Sequence, residues 1–127
     1  MKPAFIALLL FLTLSCKKEN TLKPISGNLQ LKVRAMHHSW GVPYLPIYLK
    51  KNATEWPGND TTAYDLKATA DAEGNVIFTN LSLGNYYLFG SGYDPIFMMP
   101  VSGFSPVSLS TSNSADGVVN KIFYVSE

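Results

Sequence analysis

The sequence predicts an all-β fold, an antiparallel β-sandwich of about seven strands. Three observations carry this. From Asn75 to Pro95 apolar residues alternate with a period of two, dense in aromatic and β-branched side chains and bounded by Gly and Asn. Leu29 to Ala35 alternates as cleanly, apolar against Gln30, Lys32 and Arg34. No window sustains a 3.6-residue apolar period over three helical turns.

The elements follow in order. Leu29, Leu31, Val33 and Ala35 face inward on the first strand, and Met36 to Gly41 reads as a turn or loop. Pro43 and Pro46 interrupt the next run, after which Ile47 and Leu49 share the inner face of a second strand. Asn52 to Thr62, with Trp56-Pro57-Gly58-Asn59-Asp60 inside it, lacks periodicity and is the longest loop. Tyr64 to Ala70 is a third strand, and Asp71 to Asn75 a hairpin turn with Gly74 suited to a positive φ. Val76 and Phe78 then face one way and Ile77 the other. Asn80 to Gly84 turns the chain with Leu81 or Leu83 tucked inward, and Tyr86 and Leu88 alternate with Tyr87 and Phe89. Gly90-Ser91-Gly92 is expected to be a bulge or bend. Ile96 to Val101 reads as a covered apolar stretch, Pro106 to Leu109 as a short strand, Thr111 to Gly117 as a polar loop, and Val118 to Val125 as the closing strand.

The chain has 127 residues, the length of one domain, and its 46% hydrophobic content supplies a core. Ten basic residues face nine acidic ones, and removal of residues 1–15, which include Lys2, leaves nine of each. No basic excess or stripe exists to neutralise phosphates, which argues against a nucleic-acid partner.

Met1-Lys2 and the apolar run Ala4 to Leu14 form a secretory signal over residues 1–15. The run is too short to span a bilayer, which takes about 20 residues. The only cysteine, Cys16, follows Leu12-Thr13-Leu14-Ser15, and this resembles the lipobox of bacterial lipoproteins. The resemblance implies cleavage before Cys16 and its acylation, hence a lipid anchor in a membrane of the cell envelope. Cys16-Lys17-Lys18-Glu19 is similar to the mature start of Bacteroidetes-type lipoproteins, which implies the outer membrane, on either face. Residues 16–27 then form a flexible tether, and 28–127 the domain, which contains no disulfide.

Gly41-Val42-Pro43-Tyr44-Leu45-Pro46-Ile47-Tyr48-Leu49, then Asp71-Ala72-Glu73-Gly74-Asn75-Val76-Ile77-Phe78-Thr79-Asn80-Leu81-Ser82-Leu83-Gly84-Asn85-Tyr86, resemble the motifs of the prealbumin-like, or carboxypeptidase-regulatory-like, β-sandwich family. That resemblance implies an Ig-like architecture and a non-catalytic accessory or binding module. Transthyretin-like hydroxyisourate hydrolases share the fold group. Their early histidine and Tyr-Arg-Gly-Ser ending are not matched by His37-His38 or by Tyr124-Val125-Ser126-Glu127.

Candidate site residues are few. His37 and His38, adjacent on a regular strand, would point to opposite faces and could not hold one ion. In a loop they could, but further ligands are needed, with Asp65 and Asp94 available only if the fold brings them near. No metal and no cofactor is therefore expected. Asp71, Glu73 and Asn75 lack calcium-loop spacing and read as a turn. Trp40, Trp56 and Tyr93 sit in or beside predicted loops, with Tyr44 and Tyr64 nearby in sequence, and Trp40 and Trp56 fall outside the periodic segments. They form either a stacking platform for a glycan or a protein partner, or caps on the open ends of the sandwich. The expectation is an interaction module working through loops 36–44 and 51–65 with Tyr93-Asp94 beside them. The alternatives are a hydrolase using His37 or His38 and a structural spacer.

Overall fold

The computed structural model describes residues 27–127. The signal segment 1–15, the tether up to residue 26 and the lipid-attachment residue Cys16 lie outside the described residues. Among those described, no helix is long and apolar enough to cross a membrane.

Eight strands make two sheets. The first centres on β1 (Leu29–His37). On one edge β1 pairs antiparallel with β5 (Asn75–Leu81) and, beyond it, with the two-residue β2 (Trp40–Gly41). On its other edge it pairs with β8 (Val118–Tyr124) in a parallel ladder from Gln30↔Val118 to Met36↔Tyr124. The second sheet has the order β4 (Leu66–Thr69), β3 (Pro46–Lys51), β6 (Gly84–Asp94), β7 (Met99–Leu109), antiparallel throughout. A single 3-10 turn, Thr61–Ala63, interrupts the long connection from β3 to β4. The sandwich is therefore all-β as expected. Its one parallel pairing joins the first and last strands, which suits neighbours separated by nearly the whole domain.

Both sheets bury the residues that the period of two assigns inward. Leu29, Leu31, Val33 and Ala35 of β1 meet Ile47 and Leu49 of β3 and Tyr86 and Leu88 of β6 in one core, with Val76, Phe78, Leu81 and Phe123. Ile77 stays exposed on the outer face. The turn at residues 71–75 forms, with the Asp71 carboxylate accepting from the backbone N–H of Glu73 and of Asn75, both at 2.9 Å, but it carries the chain from β4 in the second sheet to β5 in the first and closes no hairpin. Gly74 sits at φ +86°, and a Cβ there would lie 2.7 Å from the Ala35 carbonyl oxygen. At the other end of β5 the chain crosses to β6 in the second sheet, and there the buried Tyr86 hydroxyl donates to the Ser82 carbonyl at 2.6 Å, pinning the crossover.

Several expectations are corrected. Met36 and His37 continue β1 and Trp40–Gly41 pairs back on it, so the turn expected over 36–41 narrows to His38-Ser39 at the tip of a tight hairpin. The third strand is shorter than 64–70. Gly90-Ser91-Gly92 runs in unbroken register against Gly103, Ser102 and Val101 and is no bulge. The glycines serve packing, since a Cβ on Gly90 would lie 2.8 Å from the Phe123 ring and one on Gly92 3.0 Å from Leu45. The short strand at 106–109 is the end of an eleven-residue β7, and Ile96 and Met98 of the preceding stretch are exposed, not covered. After β8 the chain crosses between sheets: Val125 donates to the Met36 carbonyl, while Ser126 exchanges two backbone hydrogen bonds of 2.9 Å with Ser102.

Candidate functional site

The strand ends place two chemically distinct regions on the domain. The first lies at the end of the sandwich where β1 and β6 finish. Inward phase on β1 runs Leu29, Leu31, Val33, Ala35 and then His37; on β6 it runs Tyr86, Leu88, Gly90, Gly92 and then Asp94. The same alternation that builds the core thus delivers a histidine and an aspartate, one from each sheet, into its last layer. His37 is 2% and Asp94 1% exposed. His37 Nδ1 lies 2.7 Å from Asp94 Oδ2, and His37 Nε2 lies 2.9 Å from Glu127 Oε2. The other Asp94 oxygen, Oδ1, accepts from the Ile96 backbone N–H at 2.9 Å.

With a carboxylate on each nitrogen, the His37 ring donates twice and is favoured as imidazolium. The hydrogen bond to Asp94 raises its pKa above the ordinary 6.5; burial opposes this, and Glu127 reinforces it. Burial by itself would raise Asp94, but the hydrogen bonds from His37 and from the backbone of Ile96 and Phe97 outweigh it and hold the carboxyl below 3.8.

His38 does not point away from His37. It leaves the strand at φ +53°, in the two-residue turn between β1 and β2, and its ring centroid lies 4.3 Å from that of His37. Its Nε2 is 3.9 Å from Glu127 Oε2. Phe97 packs against both imidazoles, at 5.1 and 5.2 Å. The alternation argument against shared work by the pair fails here because the turn reverses the second residue.

The second region is the outer face of the second sheet. Strand register aligns Lys67 of β4, Tyr48 of β3, Phe89 of β6 and Phe104 of β7 in one row. The β3–β4 connection lays two more aromatics on this row. Trp56 stacks on Phe104 at 4.3 Å and 11°, and Tyr64 stacks on Phe89 at 5.6 Å and 22°. Phe89, although outward-facing, is only 4% exposed as a result. Lys67 Nζ sits 5.6 Å above the Tyr48 ring, and the Tyr64 hydroxyl donates to the Gly58 carbonyl, anchoring the connection. Trp56 and Phe104 keep exposed surface, with Phe104 half open at 52%.

The residues singled out from sequence therefore divide. His37, His38 and Asp94 come together, joined by Glu127 and Phe97, which sequence reading did not single out. Trp40, Tyr44 and Tyr93 are exposed at the same end of the sandwich, as the strand ends place them. Trp56 and Tyr64 instead lie on the sheet face, with Tyr48, Phe89 and Phe104 as unforeseen companions. Asp65 stands apart, accepting from the Lys51 backbone N–H at 2.7 Å with Lys50 Nζ at 3.6 Å. Parity was the available signal: carried two residues past Ala35 and six past Leu88, it reaches His37 and Asp94.

No protein-family model and no curated protein sequence matches the chain. Solved structures do. The major pilin subunit of Bacillus cereus is similar over 79% of this chain, at 13% identity and a TM-score of 0.53. The pilus 2b backbone protein of group B streptococcus is similar over 77%, at 20% identity and a TM-score of 0.54. The chain spans only 30% and 40% of those pilins' own lengths. A Pseudomonas aeruginosa protein provisionally assigned as carbohydrate binding is similar over 78% of this chain and 89% of its own, at 11% identity and a TM-score of 0.54. These likenesses establish the fold, a β-sandwich of the kind from which pilin backbones are built.

Proposed function

We propose that this chain is a non-catalytic binding module of the cell envelope that takes a glycan on the outer face of its second sheet. The observation that carries this is the stacked pair Trp56–Phe104 on the row Tyr48–Phe89–Phe104. Phe104, fixed by strand register and 52% exposed, and Trp56, stacked on it and 39% exposed, offer the apolar faces of a sugar a rigid surface at little entropic cost. The carbohydrate-binding assignment of the Pseudomonas aeruginosa neighbour supports the same reading. The lipobox resemblance at Cys16 supports an anchored protein, with residues 1–15 removed and 16–27 as tether to a domain at 28–127. Among the bacterial envelope membranes, the outer membrane is the proposed site.

A hydrolase using His37 is disfavoured by the geometry. Both ring nitrogens are occupied by carboxylates, so neither is free to take a substrate proton. A pure spacer would not need half-exposed stacked aromatics on an ordered sheet face.

The test is affinity electrophoresis of the chain through gels containing bacterial and host polysaccharides. Retardation by one polymer that Phe104→Ala weakens about tenfold, a loss of about 1.4 kcal/mol, supports the glycan reading. Retardation by none, or retardation indifferent to Phe104→Ala and Trp56→Ala, overturns it. Stoichiometric capture of one envelope protein, lost in the same variants, would replace the glycan with a protein partner.

A further inference from the structure

We propose that His37, His38 and Glu127 form a binding site for a divalent transition-metal ion, zinc by the chemistry of its donors, held in shape from below by Asp94. The site is at the end of the sandwich and is independent of the aromatic face.

The donor set is two imidazoles and one carboxylate, the combination found at open zinc sites that keep a fourth position for water or ligand. One donor atom from each of the three residues lies within 4.8 Å of the others. The two contacts to Glu127 Oε2 measure 2.9 Å from His37 Nε2 and 3.9 Å from His38 Nε2. Donors around a tetrahedral zinc at about 2.0 Å stand about 3.3 Å apart, so the observed spacings bracket what is needed. Small rotations of two exposed side chains close the difference, since His38 is 60% and Glu127 58% exposed.

Three features go beyond proximity. Asp94 fixes His37 through Nδ1, which leaves Nε2 as the atom aimed at the other donors. A buried carboxylate behind a ligating histidine is the usual device for setting its tautomer and orientation. His38 is held at φ +53°, a conformation that a non-glycine residue adopts at a cost, and it is this turn that brings the second imidazole alongside the first. Phe97 walls one side of both rings. Without a metal, Glu127 and His37 satisfy each other. On binding, the ion takes the place of the His37 Nε2 proton, and Glu127 turns from hydrogen-bond acceptor to ligand.

The experiment uses the tag-free full chain in detergent, stripped with a chelator and titrated with zinc in a calorimeter. Cobalt substitution gives a visible spectrum that reports tetrahedral coordination. The wild type binds one zinc per chain and shows the tetrahedral cobalt bands. His38→Ala and Glu127→Gln, both at exposed positions, each weaken zinc by more than about tenfold and abolish the bands. Asp94→Asn keeps the three ligands but weakens zinc about 10–100-fold, as loss of an outer-shell carboxylate does. Zinc affinity unchanged in His38→Ala, or no zinc bound by the wild type, overturns the proposal.

Discussion

Removal of Asp94 is the sharpest probe of how the two sheets are joined. Its carboxylate accepts a charged hydrogen bond from His37 at 2.7 Å and a backbone hydrogen bond from Ile96 at 2.9 Å, while only 1% exposed. A charged hydrogen bond contributes about 1.5–3 kcal/mol and a neutral one about 0.5–1.5, and the stranded His37 ring adds a desolvation penalty. Glu127 still reaches His37, but from a largely exposed position. Its screened charge offsets part of the loss. Asp94→Ala should therefore destabilise the domain by about 3 kcal/mol, within the range seen when one partner of a buried pair is removed. For a domain of this size that lowers Tm by more than about 10 °C. Asp94→Asn retains an acceptor for Ile96 and a neutral partner for His37, and should cost about half as much. Urea denaturation followed by tryptophan fluorescence and circular dichroism measures both, with an unchanged m-value showing that the two-state comparison holds. A double His37→Leu, Asp94→Leu variant should recover most of the loss, because well-packed apolar pairs replace buried ion pairs at little cost. An Asp94→Ala variant within about 0.5 kcal/mol of wild type would refute the reasoning, since that is the scatter of exposed substitutions.

Four further outcomes are expected. In chelated buffer, the His37–Asp94 pair should contribute its full stabilisation between about pH 3.8 and 6.5. His37 faces Asp94, Glu127 and His38, and because its pKa is raised, its contribution is full below 6.5 and is lost as pH rises through the raised value. Asp94 has a lowered pKa, so its contribution is present above 3.8 and is lost as pH falls through the lowered value. Urea midpoints that show no fall above pH 6.5 would contradict the imidazolium assignment. Gly90→Ala should cost about 1–3 kcal/mol by driving a methyl into Phe123, and a neutral effect in the same assay would mean that the ring can move. Trp56→Ala should lose about 1 kcal/mol from its stack on Phe104, whereas Trp40→Ala, 60% exposed, should stay within about 0.5 kcal/mol; equal losses would disprove the distinction. Gly74→Ala should destabilise by more than about 1 kcal/mol, since φ +86° and the Ala35 carbonyl both oppose a Cβ, and an unchanged Tm would show that the turn can rebuild.

Most of the fold was legible because burial enforces parity. Leu29 to Ala35, Ile47 and Leu49, Val76 and Phe78, and Tyr86 and Leu88 all point where a period of two sends them. The legible part ended where residues stopped being apolar. His37 continues β1 and Asp94 continues β6, but a polar residue at an inward position ends a hydrophobic pattern whether or not the strand goes on. The parallel β1–β8 ladder and the approach of Glu127 to His37 depend on pairing between distant segments, for which local periodicity carries no signal. The aromatic row was hidden for a related reason. Tyr48, Phe89 and Phe104 are outward residues on three separate strands, aligned only by register.

The parallel pairing of first and last strands has a mechanical consequence. A load drawn between residue 27 and residue 127 enters β1 at Leu29 and leaves β8 at Tyr124, at opposite ends of one ladder. The seven residue pairs from Gln30↔Val118 to Met36↔Tyr124 are then sheared together and not unzipped one at a time. Beyond them, the crossing at Ser126 and the bond from Val125 to Met36 act as a clasp that must open as well. A domain so strung resists traction along its length far better than traction across it.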